Sequence, residues 1–330
     1  MAEPLAELAL APAARAASRR WGLVAAGMGV SVGLSWLAVR NVDPQAFLRS
    51  FEASDWLYLL PSGAALVAAV AIRCLRWRLL FAAERRPPLR AVGRAFLIGH
   101  LYNNLLPARP GELARALALR REARTSVAEA LATTAAERVY DVLALVAFLL
   151  CAAPFLPESP HVRTATIVVG AVTAVALVAA VAFGRSEARL ERMVSRIPGL
   201  SLDTARRVRS GLVSLRNRRS AAVALVLTVT SWFVLALSAW ALLSAFHLEL
   251  GLAGAALIVA AANLALLVPA SPGGVGVFEA ATISVLAGFS VDRSESLSYA
   301  VALHGLNFFP YVIVGAIALQ RHLSLVRERR

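Results

Sequence analysis

Six long runs without Asp, Glu, Lys or Arg constrain this chain more than any other feature of its sequence. They occupy residues 21–39, 56–72, 142–157, 164–184, 220–246 and 297–320. At a rise of about 1.5 Å per residue, helices of roughly this length cross a hydrocarbon core about 30 Å thick. Apolar residues make up 59% of the chain and charged residues 16%, against about 25% charged residues in a soluble domain. The sequence therefore predicts an all-α polytopic membrane protein of about six full spans and excludes an ordinary soluble enzyme.

The distribution of arginine predicts how these spans are oriented. The chain has a net charge of +14 and contains no lysine, so arginine supplies all of the positive charge counted as Lys and Arg. Arg-rich segments alternate with Arg-poor segments, and Arg-rich loops of membrane proteins face the cytoplasm. We therefore expect a cytoplasmic N-terminal segment at 1–20, a basic cytoplasmic linker at 185–219 and a cytoplasmic tail at 321–330, around a single membrane domain at 21–320 in the inner (cytoplasmic) membrane. The arginines from Arg73 onward are expected in a cytoplasmic loop after the second span.

Two further apolar segments are broken. Residues 95–108 are too short to span comfortably, and residues 250–278 are interrupted by prolines and glycines, which no continuous helix tolerates. Each contains the pattern P-A-x-P-G after an apolar run with an asparagine. The pattern begins at Pro107 in one segment and at Pro269 in the other. We interpret both segments as broken or re-entrant helical hairpins.

The two breaks divide the chain into two similar halves, 21–157 and 164–320. Each half has the order span, span, broken hairpin, span, with opposite orientation in the membrane. This order predicts an inverted-topology repeat, in which paired interrupted segments mark a transporter's site near the bilayer midplane. The alternative is that a short Pro/Gly pattern recurs by chance in a chain rich in alanine and proline.

The residues around the breaks favour anion binding. Pro110 and Glu112 suit the first turn of a helix, and Ser271-Pro272 suits an N-cap followed by the first helical position. Helix N-termini carry free N–H donors and a partial positive charge, which suit a phosphate group. The glycines after Pro272 allow a backbone to approach a ligand closely, or simply permit a tight turn.

Charged residues inside the apolar regions are the other candidates. Glu137, Arg138 and Asp141 precede the uncharged part of the third span, and charges at membrane depth usually face an interior or a wet cavity. The alternative is a self-neutralising structural ion pair. Glu279 has no neighbouring cation in sequence, so it must find a partner elsewhere or be protonated. His100 and His304 are interpreted as hydrogen-bonded interior residues.

Three ordered motifs resemble the lysylphosphatidylglycerol synthase transmembrane-region family, also called flippase-like domain proteins. They are N-x-L-L-P-A-R-x-G-E-x-x-R from Asn103 to Arg115, E-R-x-x-D from Glu137 to Asp141, and P-x-S-P-G-G-x-G-x-x-E from Pro269 to Glu279. The resemblance implies a membrane domain that moves an anionic or modified lipid between leaflets. Some members also carry a soluble aminoacyl-transferase domain. We expect none here, so synthesis of a lysyl-lipid is not expected either.

Several chemistries are excluded by composition. Without lysine the chain has no P-loop and no Schiff-base nucleophile. Cys74 and Cys151 are too far apart in sequence for a CxxC metal site. We therefore expect no cofactor, no metal and no nucleic-acid partner.

The sequence as a whole predicts a lipid translocase rather than an enzyme. Its partner would be a membrane lipid with a phosphate-bearing headgroup, and a separate lipid-modifying enzyme is a possible second partner. Two alternatives stay open: a membrane-embedded transferase with Glu137 or Asp141 as general base, and a non-catalytic subunit of a lipid or glycolipid pathway. The residues expected to contact the substrate are Asn104, Arg109, Gly111, Glu112, Arg115, Glu137, Arg138, Asp141, Asn263, Ser271, Gly273, Gly274, Gly276 and Glu279.

Overall fold

The computed structural model describes residues 27–107, 110–152, 154, 164, 167, 170–171, 218–266 and 271–328. Within these ranges all regular structure is helical and no strand occurs, which confirms the predicted all-α membrane fold. The predicted span at 164–184 and the predicted linker at 185–219 lie almost entirely outside the described residues. The predicted terminal segment at 1–20 also lies outside the described residues, as does part of each break, including Arg109.

The helices of the described part are numbered α1 to α10 in chain order. They are α1 (Gly27–Val39), α2 (Pro44–Glu52), α3 (Leu59–Leu79), α4 (Leu89–Leu105), α5 (Gly111–Ala123), α6 (Val127–Ala152), α7 (Arg218–Ala245), α8 (Gly251–Ala265), α9 (Val277–Gly288) and α10 (Arg293–Glu328). Short 3-10 turns at Trp56–Tyr58 and Pro272–Gly274 precede α3 and α9.

Three stretches of the described chain are long and apolar enough to cross a membrane: Trp56–Leu79, Arg219–Ala245 and Arg293–Glu328. Shorter apolar helices lie at Gly27–Val39, Gly251–Ala265 and Pro272–Gly288. The second span is longer than expected, because α3 continues to Leu79. The expectation that Arg73 and Arg76 lie in a loop was therefore wrong: both belong to α3, where their long stems extend along packed helices.

Helices α3 and α7 form a closely packed antiparallel pair. At one end, the Asp55 N–H donates to the Ala245 carbonyl at 2.9 Å. Further along, the Ser62 hydroxyl donates to the Ser238 carbonyl at 2.7 Å, and the Ser238 hydroxyl returns a bond to the Ser62 carbonyl at 2.8 Å. These reciprocal bonds fix the register of the two helices where no water competes for the hydroxyl groups.

Each break folds its two flanking helices back on each other. Helix α4 packs against α5, and α8 packs against α9. The hairpins also reach across the molecule, because α4 lies against α10 and α8 lies against α6. The second break is thus a helix, a loop and a helix, as predicted from its prolines and glycines.

Trp77 of α3 anchors the packing between α3 and α6. Its side chain is fully buried, and the indole N–H donates to the Thr133 hydroxyl at 3.0 Å. Replacing a buried tryptophan by alanine removes its contacts and leaves a cavity, at a cost of about 3–5 kcal/mol. We expect Trp77→Ala to lower the free energy of unfolding in detergent by that amount.

The matched control is Trp240→Ala, since Trp240 of α7 is 45% exposed. We expect this variant to lose less than about 1 kcal/mol. Equal losses for the two variants in a denaturant or thermal titration would contradict the packing described for α3 and α6.

Candidate functional site

The two breaks touch each other. The turn Pro272–Gly274 of the second break packs against α4, the helix that leads into the first break. At Gly273 a side chain has no room, because its Cβ would lie 2.8 Å from the Phe308 ring and 3.5 Å from the Asn104 carbonyl oxygen. The Phe308 ring of α10 therefore excludes a side chain at Gly273, and the backbone of the second break lies in contact with the Asn104 carbonyl of the first.

A polar cavity of about 160 Å³ lies beside this contact. Its walls come from both halves of the chain and carry four carboxamide side chains, namely Asn103, Asn104, Asn263 and Asn307. Six of the predicted substrate-contact residues line it, namely Asn104, Gly111, Glu112, Arg115, Arg138 and Asn263. In a helical membrane protein, a cavity between helices that carries converging polar side chains is a candidate binding site.

The other predicted residues lie behind this wall or outside the described chain. Glu137 and Asp141 bind the arginines that reach the cavity or lie next to it. Ser271, Gly273, Gly274, Gly276 and Glu279 form and brace the turn of the second break. Arg109 falls outside the described residues, so its role stays a prediction.

The first break is held by close backbone approach and one side-chain cap. A Cβ at Gly99 would lie 2.8 Å from the Gly111 carbonyl oxygen and 3.0 Å from the Arg115 Cβ. The Gly111 N–H, which has no partner within its own helix, donates to the Asn103 side-chain oxygen at 2.8 Å. Helix α5 begins at Gly111 with Glu112 in its first turn, within one residue of the predicted start.

The second break is capped differently from the prediction. Ser271 precedes only a three-residue 3-10 turn and makes no side-chain cap, and its hydroxyl donates to the Val275 carbonyl instead. The cap of α9 is the Glu279 carboxylate, which accepts from the Gly276 N–H at 2.6 Å. The expectation that Ser271 caps an α-helix was therefore wrong: Ser271 precedes a 3-10 turn, and four residues follow Pro272 before the chain becomes α-helical at Val277.

The glycines of this turn are required by its backbone. Gly273, Gly274 and Gly276 have φ values of +70°, +77° and +85°, a region that residues with a side chain rarely adopt. A Cβ at Gly274 would collide with Leu266, and one at Gly276 with Ser35 of α1. These contacts favour a tight turn over close approach to a ligand, because the atoms that an added Cβ would meet at the three glycines belong to the protein.

A network of ion pairs lies beside the cavity, and all of its pairs except Arg138 with Glu112 are largely buried. Glu137 binds Arg115 of α5 at 2.6 Å and Arg76 of α3 at 3.2 Å, while Asp141 binds Arg76 at 2.6 Å. Arg138 binds Glu112 at 2.6 Å, whereas its separation from Asp141 is 4.0 Å. These charges are therefore neutralised mainly by other helices, and the proposed self-neutralising pair within α6 contributes little.

Glu279 finds its partner on α10. The His304 Nδ1 lies 2.5 Å from the Glu279 carboxylate, and its Nε2 lies 3.2 Å from the Gly273 carbonyl oxygen. His304 thereby joins α10 to the turn of the second break and to the first turn of α9. His100 is bonded to the Phe96 carbonyl at 3.0 Å and stacks on Tyr311, so both histidines are hydrogen-bonded interior residues as predicted.

Sequence reasoning missed two arginines of α3. Arg76 is 2% exposed and joins the ion pairs just described, and Arg73 lines the cavity with its guanidinium 4.8 Å from the centre of the Trp232 ring. The sequence does indicate that the helix extends past Ile72. No proline or glycine follows until Pro87, so the helical pattern continues through Arg73, Arg76 and Trp77.

The fold and the cavity together define a polytopic α-helical membrane protein with a polar site between two broken hairpins. The sequence matches the family described as "Lysylphosphatidylglycerol synthase TM region" over residues 24–315, so the chain belongs to this family.

Two curated relatives resemble this sequence. A UPF0104 membrane protein of Methanothermobacter thermautotrophicus is 25% identical over 296 residues, covering 84% of this chain and 86% of the relative. A UPF0104 membrane protein of Methanocaldococcus jannaschii is 22% identical over 218 residues, covering 65% of this chain and 91% of the relative.

Replacing each of two glycines of α4 by alanine distinguishes the effect of close backbone approach from the ordinary helix propensity of alanine. We expect Gly99→Ala to destabilise the protein by about 1–3 kcal/mol, because the new Cβ meets the Gly111 carbonyl. At Gly93, on the same helix, nothing lies within 4 Å of the added atom, so Gly93→Ala should be neutral or stabilise by up to about 1 kcal/mol. Thermal unfolding in detergent compares the two variants. A smaller loss for Gly99→Ala than for Gly93→Ala would contradict the hairpin geometry.

Arg76 holds two buried carboxylates, and its removal leaves Asp141 without a close guanidinium and Glu137 with Arg115 alone. Breaking a buried pair on one side costs about 3–5 kcal/mol. We expect Arg76→Gln to lower the free energy of unfolding by that amount, and Arg76→Gln combined with Asp141→Asn to recover part of the loss. The control is Arg90→Gln, at an exposed position of α4. A loss no larger than that of the control would show that the network contributes nothing to stability.

Proposed function

We propose that this protein is a lipid translocase, which moves an anionic or modified lipid between leaflets through the polar cavity. The observation that carries the proposal is the meeting of the two breaks at this cavity. A lipid headgroup cannot cross a hydrocarbon core without polar partners, and a cavity walled by carboxamides and arginines supplies them. Membership of a family described by a lipid synthase's transmembrane region agrees with a lipid substrate.

Helix packing supports an inverted repeat. If the two halves are exchanged, α3 replaces α7, α4 replaces α8 and α6 replaces α10. The packing of α4 against α10 then becomes the packing of α8 against α6, and both are observed. The contact between α5 and α6, in which Arg115 binds Glu137, likewise has a counterpart between α9 and α10, where His304 is hydrogen-bonded to Glu279.

Such a repeat provides a simple route to alternating access. Two halves of opposite orientation that pack alike can rock against each other and open the same cavity first to one leaflet and then to the other. The chain has no lysine and hence no P-loop, so transport would run downhill or be coupled to ions or protons. The Arg-rich segments place both termini in the cytoplasm in this proposal.

The contacts of the acidic residues weigh against the transferase alternative. A general base needs a carboxylate oxygen free to accept a proton from the substrate. Both oxygens of Glu137 bind arginines, and those of Asp141 bind Arg76 and the Trp232 indole N–H. These carboxylates are engaged in holding helices together.

The proposal is tested by reconstituting the purified protein in liposomes that contain fluorescent lipids. A membrane-impermeant quencher reports how fast each lipid changes leaflet, across a panel of phospholipids and polyprenyl-phosphate lipids. Asn263→Leu and Asn307→Leu are the decisive variants. Among the described residues, each carboxamide donates only to a carbonyl of its own helix, Val259 or Leu303, so its loss should cost little stability. We expect translocation to fall at least tenfold in each.

Ser284→Leu is the matched control, because Ser284 also bonds within its own helix but is exposed. It should translocate as the unaltered protein does. No leaflet exchange above that of protein-free liposomes for any lipid of the panel would overturn the proposal. Unchanged rates in both asparagine variants would place the path elsewhere, and a labelled product formed from a group donor would favour the transferase.

A further inference from the structure

The charges around the cavity do not balance. Four guanidinium groups and three carboxylates form the cluster among the described residues: Arg73, Arg76, Arg115 and Arg138 against Glu112, Glu137 and Asp141. The difference, 4 − 3, leaves one positive charge. An uncompensated charge shielded from water is expensive, so its position indicates where a counter-charge belongs.

The excess positive charge lies at Arg73. Each of the three carboxylates is within 3.2 Å of another arginine: Glu112 of Arg138, Glu137 of Arg76 and Arg115, and Asp141 of Arg76. Arg73 has no carboxylate within 4.0 Å in the described part of the chain, and its buried Nε and Nη2 have no hydrogen-bond acceptor there. Arg76 and Arg115 also leave Nε unbonded, but their terminal nitrogens hold carboxylates.

The geometry of Arg73 keeps its donors available. The guanidinium lies 4.8 Å from the centre of the Trp232 ring, a cation–π contact that uses the face of the group. The N–H donors lie in the plane of the guanidinium, so this contact leaves them free. The indole of Trp232 is itself held by Asp141, which accepts from its N–H at 3.2 Å. The planar fork of an arginine held in this way matches two oxygens of a phosphate group.

A second unsatisfied donor shares the cavity. The side-chain nitrogen of Asn104, from the first break, is buried and has no acceptor among the residues described. Two donor groups without acceptors therefore line one cavity, beside a surplus positive charge. An oxyanion with several acceptor oxygens satisfies both. At about 160 Å³ the cavity has room for one compact group, since an engineered cavity of about 150 Å³ holds benzene.

We infer that Arg73, assisted by Asn104, is the anchor for a phosphate-class oxyanion in this cavity. The inference rests on the proposed function and replaces Arg115 and Arg138 as the phosphate ligands, because those two arginines are already bound to Glu137 and Glu112. Their part is to hold α5 and α6 in place around the anion.

The test is a binding titration of the purified protein in detergent, read by tryptophan fluorescence. Ligation of Arg73 alters the environment of Trp232, so the ligand-dependent signal should disappear in Trp232→Phe. The probes are short-chain phosphatidic acid, short-chain phosphatidylcholine and inorganic phosphate. We expect phosphatidic acid to bind, and Arg73→Gln to weaken that binding at least tenfold.

Three further variants make the result specific. Arg73→Lys keeps the charge without the planar fork and should recover part of the affinity. Arg90→Gln changes an arginine at an exposed position of α4 and should bind as the unaltered protein does. Asn104→Leu removes a donor without touching a charge and should weaken binding at least threefold, which keeps the test open if Arg73→Gln fails to fold.

The outcomes separate this inference from the proposed function. Unchanged affinity in a folded Arg73→Gln variant overturns the assignment of Arg73, and so does the absence of binding to any probe, whatever the liposome assay shows. Binding of inorganic phosphate but not of phosphatidic acid supports the anion site and overturns its use for lipid. Binding of phosphatidylcholine as tight as that of phosphatidic acid, unaffected by Arg73→Gln, contradicts a role for the phosphate charge.

Discussion

A helix that breaks inside a bilayer leaves backbone groups without partners, and the arrangement of this protein follows from how those groups are satisfied. Each break carries its own solution: Asn103 accepts the free N–H of Gly111, and Glu279 accepts that of Gly276. Both solutions use a polar side chain next to apolar helices. It is favourable for such polar side chains to lie close together, because each can then supply a hydrogen-bond partner for another. The contact between the two breaks, and the cavity beside it, are the result.

Most of the buried charged side chains are likewise satisfied by partners on other helices. Arginines of α3 and α5 and carboxylates of α6 neutralise each other across three helices, which holds the first hairpin against the rest of the protein. In the described part of the second half, Glu279 is hydrogen-bonded to His304, which joins α9 to α10. Arg73 lines the cavity, and no carboxylate of the described residues pairs with it. It is this unpaired arginine on which the inferred anion site rests.

Much of this could be predicted from sequence. Uncharged runs predict helices that span, and prolines with glycines predict breaks, because both effects are local and steric. The need of Glu279 for a partner was also predictable, since a lone carboxylate in an apolar segment must be compensated. Its identity as His304 was not, because 25 residues and a turn separate them. Arg73 and Arg76 were missed because charge was taken to end the span, whereas paired or stacked arginines continue it. The cap at Ser271 was predicted wrongly because a 3-10 turn and an α-helix begin with the same residues.

The most direct test of the central claim is photo-cross-linking with a lipid that carries a diazirine in its headgroup. The protein is reconstituted in liposomes with this lipid, irradiated, digested and mapped by mass spectrometry. The account predicts attachment at the ends of α4 and α8, around Asn104 and Asn263, from lipid supplied in either leaflet. Attachment confined to exposed apolar surfaces such as Val67 of α3 and Ile313 of α10, with none at the two breaks, would contradict it.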